Sequence, residues 1–324
     1  MSAMSRTSPP ATVGFDIGGT NLRAGVVTPE GTIIDARSVP TPDTAEELEA
    51  RIATLVDELR REHDVAAVGL AVAGFLDPEC ERVRFAPHLP WREAPVRARL
   101  AGRLGLPVRL EHDANSAAWG EYRFGAAQDA DTWVFFAVGT GIGATLMVDG
   151  QIYRGAYGTA PEFGHLTVVP GGRACPCGKR GCLERYASGT ALVDTARELV
   201  DARGFADAAL TRALTTAPGS VTGRDVMAAA HAGDALALAV IDEFAGWLGE
   251  GLAVVADVLD PELILLGGGV SRDAGLYLGT TRAQMTSRMV GAGHRPVPRV
   301  GTAELGADAG MIGVADLARR SPHR

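Results

Sequence analysis

Cys175, Cys177 and Cys182 fall within the run Cys-Pro-Cys-Gly-Lys-Arg-Gly-Cys and are three of the four cysteines in the chain. Glycines at 178 and 181 permit a tight knuckle around them. Three thiolates leave a tetrahedral zinc site one ligand short. His165, just upstream in Glu162-Phe163-Gly164-His165, is the natural fourth. A closed site of this kind leaves no coordination position for water, so it is structural rather than catalytic. A disulfide or a redox pair are the competing readings, and a reducing compartment disfavours the disulfide. Cys80 stands apart as a simple thiol. A metal here pins the loop that carries Glu162, His165 and Glu184. Two carboxylates and an imidazole converging on one pocket suit a polyhydroxylated ligand, whose hydroxyls need paired donors and acceptors. For either glutamate alone, a solvated acidic surface is the plainer reading.

The other chemistry-bearing residues sit at strand ends. Asp16-Ile17-Gly18-Gly19-Thr20-Asn21 places an acid, paired glycines and a hydroxyl after an apolar run. Such a turn lets backbone N–H groups approach phosphate oxygens, and Asp16 can reach a Mg²⁺ through water. No Gly-Lys-Ser/Thr follows, so this is not a Walker A loop. A hairpin turn that merely needs glycine is the bland alternative. Gly139-Thr140-Gly141-Ile142-Gly143 occupies the equivalent place later in the chain, and two such turns can clamp a polyphosphate. Gly267-Gly268-Gly269 follows a buried run and leaves a surface without side chains, open to a nucleoside; a helix-entry turn is its simpler role. Glu111-His112-Asp113-Ala114-Asn115 spans a strand-to-helix junction. Asp113 there is either an N-cap or, with a substrate hydroxyl in reach, a general base.

The elements that must position these residues show a repeat. Val13–Asp16, Leu22–Thr28 and Thr32–Val39 read as a β-meander; so do Thr132–Val138, Ala144–Val148 and Gln151–Tyr153. Thr44–Arg61 has helical spacing, Val65–Val72 reads as a buried strand, and Pro107–Glu111 as a short strand before a helix over Asn115–Phe124. The region from about Gly189 to Leu259 is helical, Leu263–Leu266 is a strand, and Asp308–Arg319 is a helix. The expected fold is a two-lobed α/β protein with duplicated meanders and a cleft, where ligands sit beyond the strand ends.

Composition bounds the rest. A length of 324 residues exceeds what one core usually supports. With 46% hydrophobic residues, disorder over most of the chain is excluded. A net charge of -8 argues against a dedicated nucleic-acid binder. The apolar stretch Leu248–Leu266 carries Glu250, Asp257, Asp260 and Glu262, which excludes a membrane span. Residues 1–12 are Ser/Pro-rich with no apolar h-region. They read as a disordered arm rather than a signal peptide, which predicts a cytoplasmic location.

Taken in order, DIGGTN at 16–21, AVAGFLD at 71–77, HDAN at 112–115, GTGIG at 139–143, GAYGTAPEFGH at 155–165, CPCGKRGCLE at 175–184 and LGGGV at 266–270 resemble the ROK family (repressor, open reading frame, kinase), and most closely its bacterial glucokinases. The similarity runs from Val13 to about Leu317, and the CxCGxxGCxE element is specific to the family. The resemblance implies the actin-like, hexokinase-type ATPase fold. Its small lobe would hold 13–112 plus 308–324, and its large lobe 113–307 with a zinc loop over 165–182. It implies ATP-dependent phosphorylation of glucose, with ATP, Mg²⁺ and a structural Zn²⁺. Asp113 would take the proton of the sugar 6-hydroxyl. Asp16, Gly18, Gly19, Thr20, Gly139, Thr140 and Gly141 would serve the phosphates, and Gly267 and Gly268 the nucleoside. Gly74, His112, Asn115, Glu162, His165 and Glu184 would surround the sugar, while His165, Cys175, Cys177 and Cys182 hold zinc. A homo-oligomer, dimer or tetramer, is expected.

Three positions depart from the family pattern. His112 replaces the usual Asn before the catalytic Asp, His88 replaces an Asn in an APNL-type segment, and Pro161 stands where Gly is common. These bear on sugar identity. The alternatives are a related kinase for N-acetylmannosamine, fructose or allose, polyphosphate as donor, or a sugar-sensing repressor. Such repressors carry a helix-turn-helix before the first strand, and the dozen residues ahead of Val13 are too few for one.

Overall fold

The computed structural model describes residues 10–217 and 219–320. Residues 1–9 of the expected arm lie outside the described residues. Ala11 and Thr12, also assigned to that arm, are already in the first strand. The chain divides into two compact units. One comprises residues up to 129 with 152–160 and 304 onward; the other comprises 130–151 and 161–303.

In the first unit the chain runs β1 (Ala11–Ile17), β2 (Asn21–Val27), β3 (Ile33–Pro40), α1 (Ala45–Arg60), β4 (Val65–Val72), β5 (Phe75–Leu76), β6 (Val83–Phe85), β7 (Arg92–Ala94), α2 (Val96–Leu104), β8 (Val108–His112) and α3 (Asp113–Phe124). The main sheet has the order β3-β2-β1-β4-β8. β1 is antiparallel to β2 and parallel to β4, and β4 is parallel to β8. β4 is apolar almost throughout because both of its faces are covered. α1 starts where Thr44 accepts from the Glu47 N–H, and it buries Leu48, Ile52, Leu55, Val56 and Leu59. These side chains join Val13, Phe15, Val68, Leu70 and Trp91 in one core.

The second unit begins with β9 (Trp133–Val138) and β10 (Ile142–Val148), and β11 (Gln151–Tyr153) starts in it and runs into the 152–160 segment of the first. The second unit continues through α4 (Gly189–Arg203), α5 (Ala209–Thr216), α6 (Gly223–His231), α7 (Ala235–Leu259), β12 (Leu263–Gly267), α8 (Leu278–Arg288) and β13 (Arg299–Thr302). The sheet order β11-β10-β9-β12-β13 repeats that of the first sheet, with β10 antiparallel to β9, and β12 parallel to β9 and to β13. The duplicated meander read from the sequence is thus a duplicated five-stranded sheet. The region expected to be helical from Gly189 to Leu259 holds four helices among the described residues. Their apolar faces pack with Val134, Phe136, Ile264 and Leu266 in a separate core.

The final helix, α9 (Ala309–Arg320), returns to the first unit and packs on α3 and β1. Close approach is made by glycine. A Cβ on Gly313 would lie 1.8 Å from the Ser116 carbonyl oxygen. Helix α3, which the sequence reading assigns to the large lobe, therefore packs within the first unit. Asp113 is its first residue.

Candidate active site

The first unit gathers its candidate residues at the carboxyl ends of β1 and β8. The turn after β1 is closed by the Gly18 N–H donating to the Asn21 oxygen at 3.0 Å, and by Thr41 Oγ1 donating to the Gly18 oxygen at 2.7 Å. Gly19 lies under His88: a Cβ on it would meet the His88 Cβ at 2.7 Å. Gly74 lies as close to Ala86 and the Phe85 carbonyl. Asp113 is not the N-cap of α3; His112 holds that position. The Asp113 Oδ1 instead accepts from the Ala114 N–H at 2.8 Å and lies 3.3 Å from His112 Nδ1, with the side chain 44% exposed. Asn115 is buried, and its Nδ2 donates to the Glu111 carboxylate at 3.0 Å.

Asp16 sits in a local excess of negative charge. Burial and then the Asp113 carboxylate push its carboxyl up from 3.8 to about 6, against the pull of Arg23 at 3.8 Å. Asp308, a residue with no motif to mark it in the sequence, adds to the repulsion while itself pairing with Arg23. A cation near Asp16 would relieve this repulsion, so the donor set fits Mg²⁺. Between about pH 4 and pH 6 the native state binds more protons at Asp16 than the unfolded chain, so stability falls as pH rises through that window. Two pKa units correspond to about 3 kcal/mol. The carboxylate is about a third exposed, so roughly 1 kcal/mol is the better figure after solvent screening. Asp16→Asn is therefore expected to raise the Tm of metal-free protein by about 2–4 °C at pH 7.5. It should leave Tm unchanged near pH 3.5, as two calorimetric scans would show.

In the second unit His165, Cys175, Cys177 and Cys182 place their ligand atoms within 4.8 Å of one another. Cys177 Sγ and Cys182 Sγ are 3.7 Å apart, as are Cys175 Sγ and His165 Nδ1. Ligands about 2.3 Å from one tetrahedral ion are separated by about 3.8 Å, so the set fits zinc. Burial pushes the Cys182 thiol up to about 12 without a metal; a bound cation reverses that preference. Gly181 forms the knuckle at φ +77°, where a Cβ would strike the Val169 carbonyl at 1.7 Å. With Nδ1 turned to the thiols, His165 Nε2 lies 3.9 Å from a Glu162 oxygen. One imidazole can thus serve a metal on one side and a ligand hydroxyl on the other.

Glu184 is not a solvated acid. Its Oε2 accepts from the Ile142 N–H at 2.9 Å, and a Cβ on Gly141 would lie 2.2 Å from that oxygen. Glu184 therefore braces the Gly139–Gly143 turn from below. The same turn is tied to α4: the Gly189 N–H donates to the Gly139 oxygen at 2.7 Å, and Thr190 Oγ1 to the Thr140 oxygen at 2.9 Å. Beyond it opens a cavity of about 730 Å³, lined by Gly139, Thr140, Thr222, Arg224, Gly269 and Asp273 among others. Gly267 and Gly268 are not in that lining; Gly269 is. Gly268 sits at φ +82° with its α-carbon face against the Val138 carbonyl, which makes it the hinge of the turn. Thr222 and Arg224 are additions that sequence reasoning misses, although Thr222-x-x-Asp225 carries the signature of a capping box and forms one at the head of α6.

The profile of the ROK family matches residues 12–321. This chain belongs to the ROK family. A glucokinase from Streptomyces coelicolor is 41% identical over 308 residues, covering 95% of this chain and 97% of that protein. The crystal structure of a ROK family glucokinase from Streptomyces griseus, in complex with glucose and AMPPNP, is similar at a TM-score of 0.83 and 42% identity, covering 96% of this chain and all (100%) of that one. A ROK hexokinase from Thermus thermophilus matches at a TM-score of 0.77 and 33% identity, over 95% of this chain and 98% of that one. The architecture is accordingly the actin-like, hexokinase-type ATPase fold expected from the motifs. Among the described residues, no helix is long and apolar enough to cross a membrane.

Proposed function

We propose that this protein phosphorylates glucose at the 6-hydroxyl with ATP as donor. The observation that carries the reading is the similarity, over 96% of the chain, to a ROK glucokinase crystallised with glucose and an ATP analogue. Asp113, the glycine turns and the Cys/His set of the family motifs are present here, while His112, His88 and Pro161 depart from them. Asp113 accepts the 6-hydroxyl proton as that oxygen bonds to the γ-phosphorus. The bond from the γ-phosphorus to the β,γ-bridging oxygen breaks, and ADP departs. Backbone N–H groups of the Gly18–Thr20 and Gly139–Gly141 turns hold phosphate oxygens, and the second-unit cavity takes the nucleoside. Asp16 would help hold Mg²⁺, which would supply neutralisation of phosphate charge. His165, Cys175, Cys177 and Cys182 would hold zinc, which would fix the loop that presents Glu162 and His165 to the sugar hydroxyls. Gly74, His112, Asn115 and Glu184 complete the sugar contacts, and the enzyme works in the cytoplasm, where free thiols and ATP coexist.

A steady-state panel tests this: glucose, mannose, fructose, allose and N-acetylmannosamine, each against ATP and polyphosphate. Glucose with ATP is expected to give the highest kcat/KM. A higher value for another sugar, or for polyphosphate, moves the assignment to that kinase. His112 adds a specific expectation, because an imidazole is larger than an amide and lies 3.3 Å from the proposed base. His112→Asn should change the order of sugars or the KM for glucose by about tenfold, with zinc content unchanged. Identical kinetics across the panel would remove His112 from the pocket.

A further inference from the structure

Glu111 carries a deeply buried charge in the first unit; it is 1% exposed and precedes the His112-Asp113 pair. Its Oε2 accepts from Arg109 Nη2 at 3.1 Å and pairs with Arg154 Nη2. Its Oε1 accepts from Arg154 Nε at 3.3 Å, from the His112 backbone N–H at 3.2 Å and from Asn115 Nδ2 at 3.0 Å. One carboxylate therefore ties together the strand end before Asp113, the amide of Asn115 and an arginine 43 positions away. Burial alone would push the Glu111 carboxyl up; the Arg154 and Arg109 guanidiniums outweigh it and hold it below the usual range.

Arg154 reaches this place on a short strap, residues 152–160, which belongs to the first unit although the chain on both sides of it belongs to the second. The strap is closed by the Ala160 N–H donating to the Arg154 oxygen at 3.2 Å. Gly158 seats it at φ +79°, where a Cβ would lie 2.9 Å from the Pro78 nitrogen. Pro161 and Glu162 follow directly.

We propose that Arg154 is a positioning residue for the sugar site: its two-pronged pair fixes Glu111 as the acceptor that orients the Asn115 amide and the His112 peptide ahead of Asp113. This rests on the sugar-facing roles given above to Asn115 and Asp113. An ionised carboxylate accepts and cannot donate, so it commits Asn115 to present its NH₂ inward. The amide then meets a sugar hydroxyl through its carbonyl oxygen. Without Arg154, the buried carboxylate loses the partner that bonds both of its oxygens, and the amide loses its fixed orientation.

The chain contains two asparagines, Asn21 and Asn115, so selective ¹⁵N-asparagine labelling yields two side-chain amide pairs. In full-length Arg154→Met the Asn115 pair is expected to shift and exchange faster with solvent, while the Asn21 pair stays in place. In the same variant kcat/KM for glucose should fall about 10²-fold, with KM for ATP within about threefold and zinc content unchanged. Arg154→Lys, which offers a point charge in place of the fork, should fall between. In a cycle with Asn115→Ala the losses should overlap rather than multiply. A wild-type-like Asn115 amide pair in Arg154→Met, or losses that multiply, would overturn the proposal. If Arg154→Met does not fold, the same measurements on Arg154→Lys decide the matter in the same way. Absence of glucose turnover in the wild type would sink the glucokinase reading instead, and the amide spectrum would still decide the role of Arg154.

Discussion

Asp113→Asn is expected to lower kcat for glucose phosphorylation by about 10³–10⁴-fold while leaving glucose affinity within a few-fold of wild type. Asparagine keeps the shape of the side chain, and the 2.8 Å acceptor contact with the Ala114 N–H survives through its amide oxygen, so the start of α3 stays in place. What is lost is the proton acceptor. General base catalysis contributes about 10²–10⁴-fold. The upper part of that range applies because phosphoryl transfer asks little other covalent work of the protein. Removing the negative charge also relieves Asp16, so the same variant should bring the Asp16 carboxyl down toward its ordinary value. Single-turnover kinetics and glucose calorimetry on the two proteins separate chemistry from binding. Equal kcat values would take Asp113 out of the reaction. Equal losses in kcat and in affinity would make it a sugar-holding group instead.

Removal of the metal should also lower activity, by a different route. Purified protein is expected to carry one zinc per chain, and Cys182→Ala to carry none, because Cys182 is wholly buried in the cluster. Without the ion, three thiols and an imidazole crowd within 4.8 Å and the knuckle at Gly178 and Gly181 has nothing at its centre. The loop then frees Glu162 and His165, and the Leu183–Arg185 turn that brings Glu184 under Gly141 loses its anchor. The predicted loss in kcat/KM for glucose is at least 10²-fold, since supporting groups alone are worth about 10–100-fold at metal sites. The first unit, with its own core, should remain folded. Metal analysis, circular dichroism and kinetics on Cys182→Ala check each part. Full activity in a zinc-free variant would leave the cluster without a role in sugar binding.

The meanders and glycine turns are legible in the sequence because their signals are local. An apolar run into Asp16-Ile17-Gly18-Gly19 can be read within ten residues, and so can the cysteine knuckle. The three-stranded sheet of β5, β6 and β7 is not legible, since strands of two or three residues carry no alternation to detect. Helix α2 has Pro95 at its N-cap position with no side-chain cap, and its arginine- and alanine-rich positions blur its apolar face. At the Asp113 junction the cap lies one residue earlier than the sequence suggests, because His112 gives no capping signal. Asp308 and Arg154 lie beyond the reach of pattern altogether: each matters through a partner far away in the chain, and only the fold brings the two together.

The most direct test of the central claim is ³¹P NMR of wild-type protein with ATP, Mg²⁺ and glucose, followed from mixing to completion. Growth of the glucose 6-phosphate resonance in step with ADP, with no inorganic phosphate, is the predicted result. An unchanged ATP spectrum, or ADP accompanied by inorganic phosphate in place of a sugar phosphate, would contradict it.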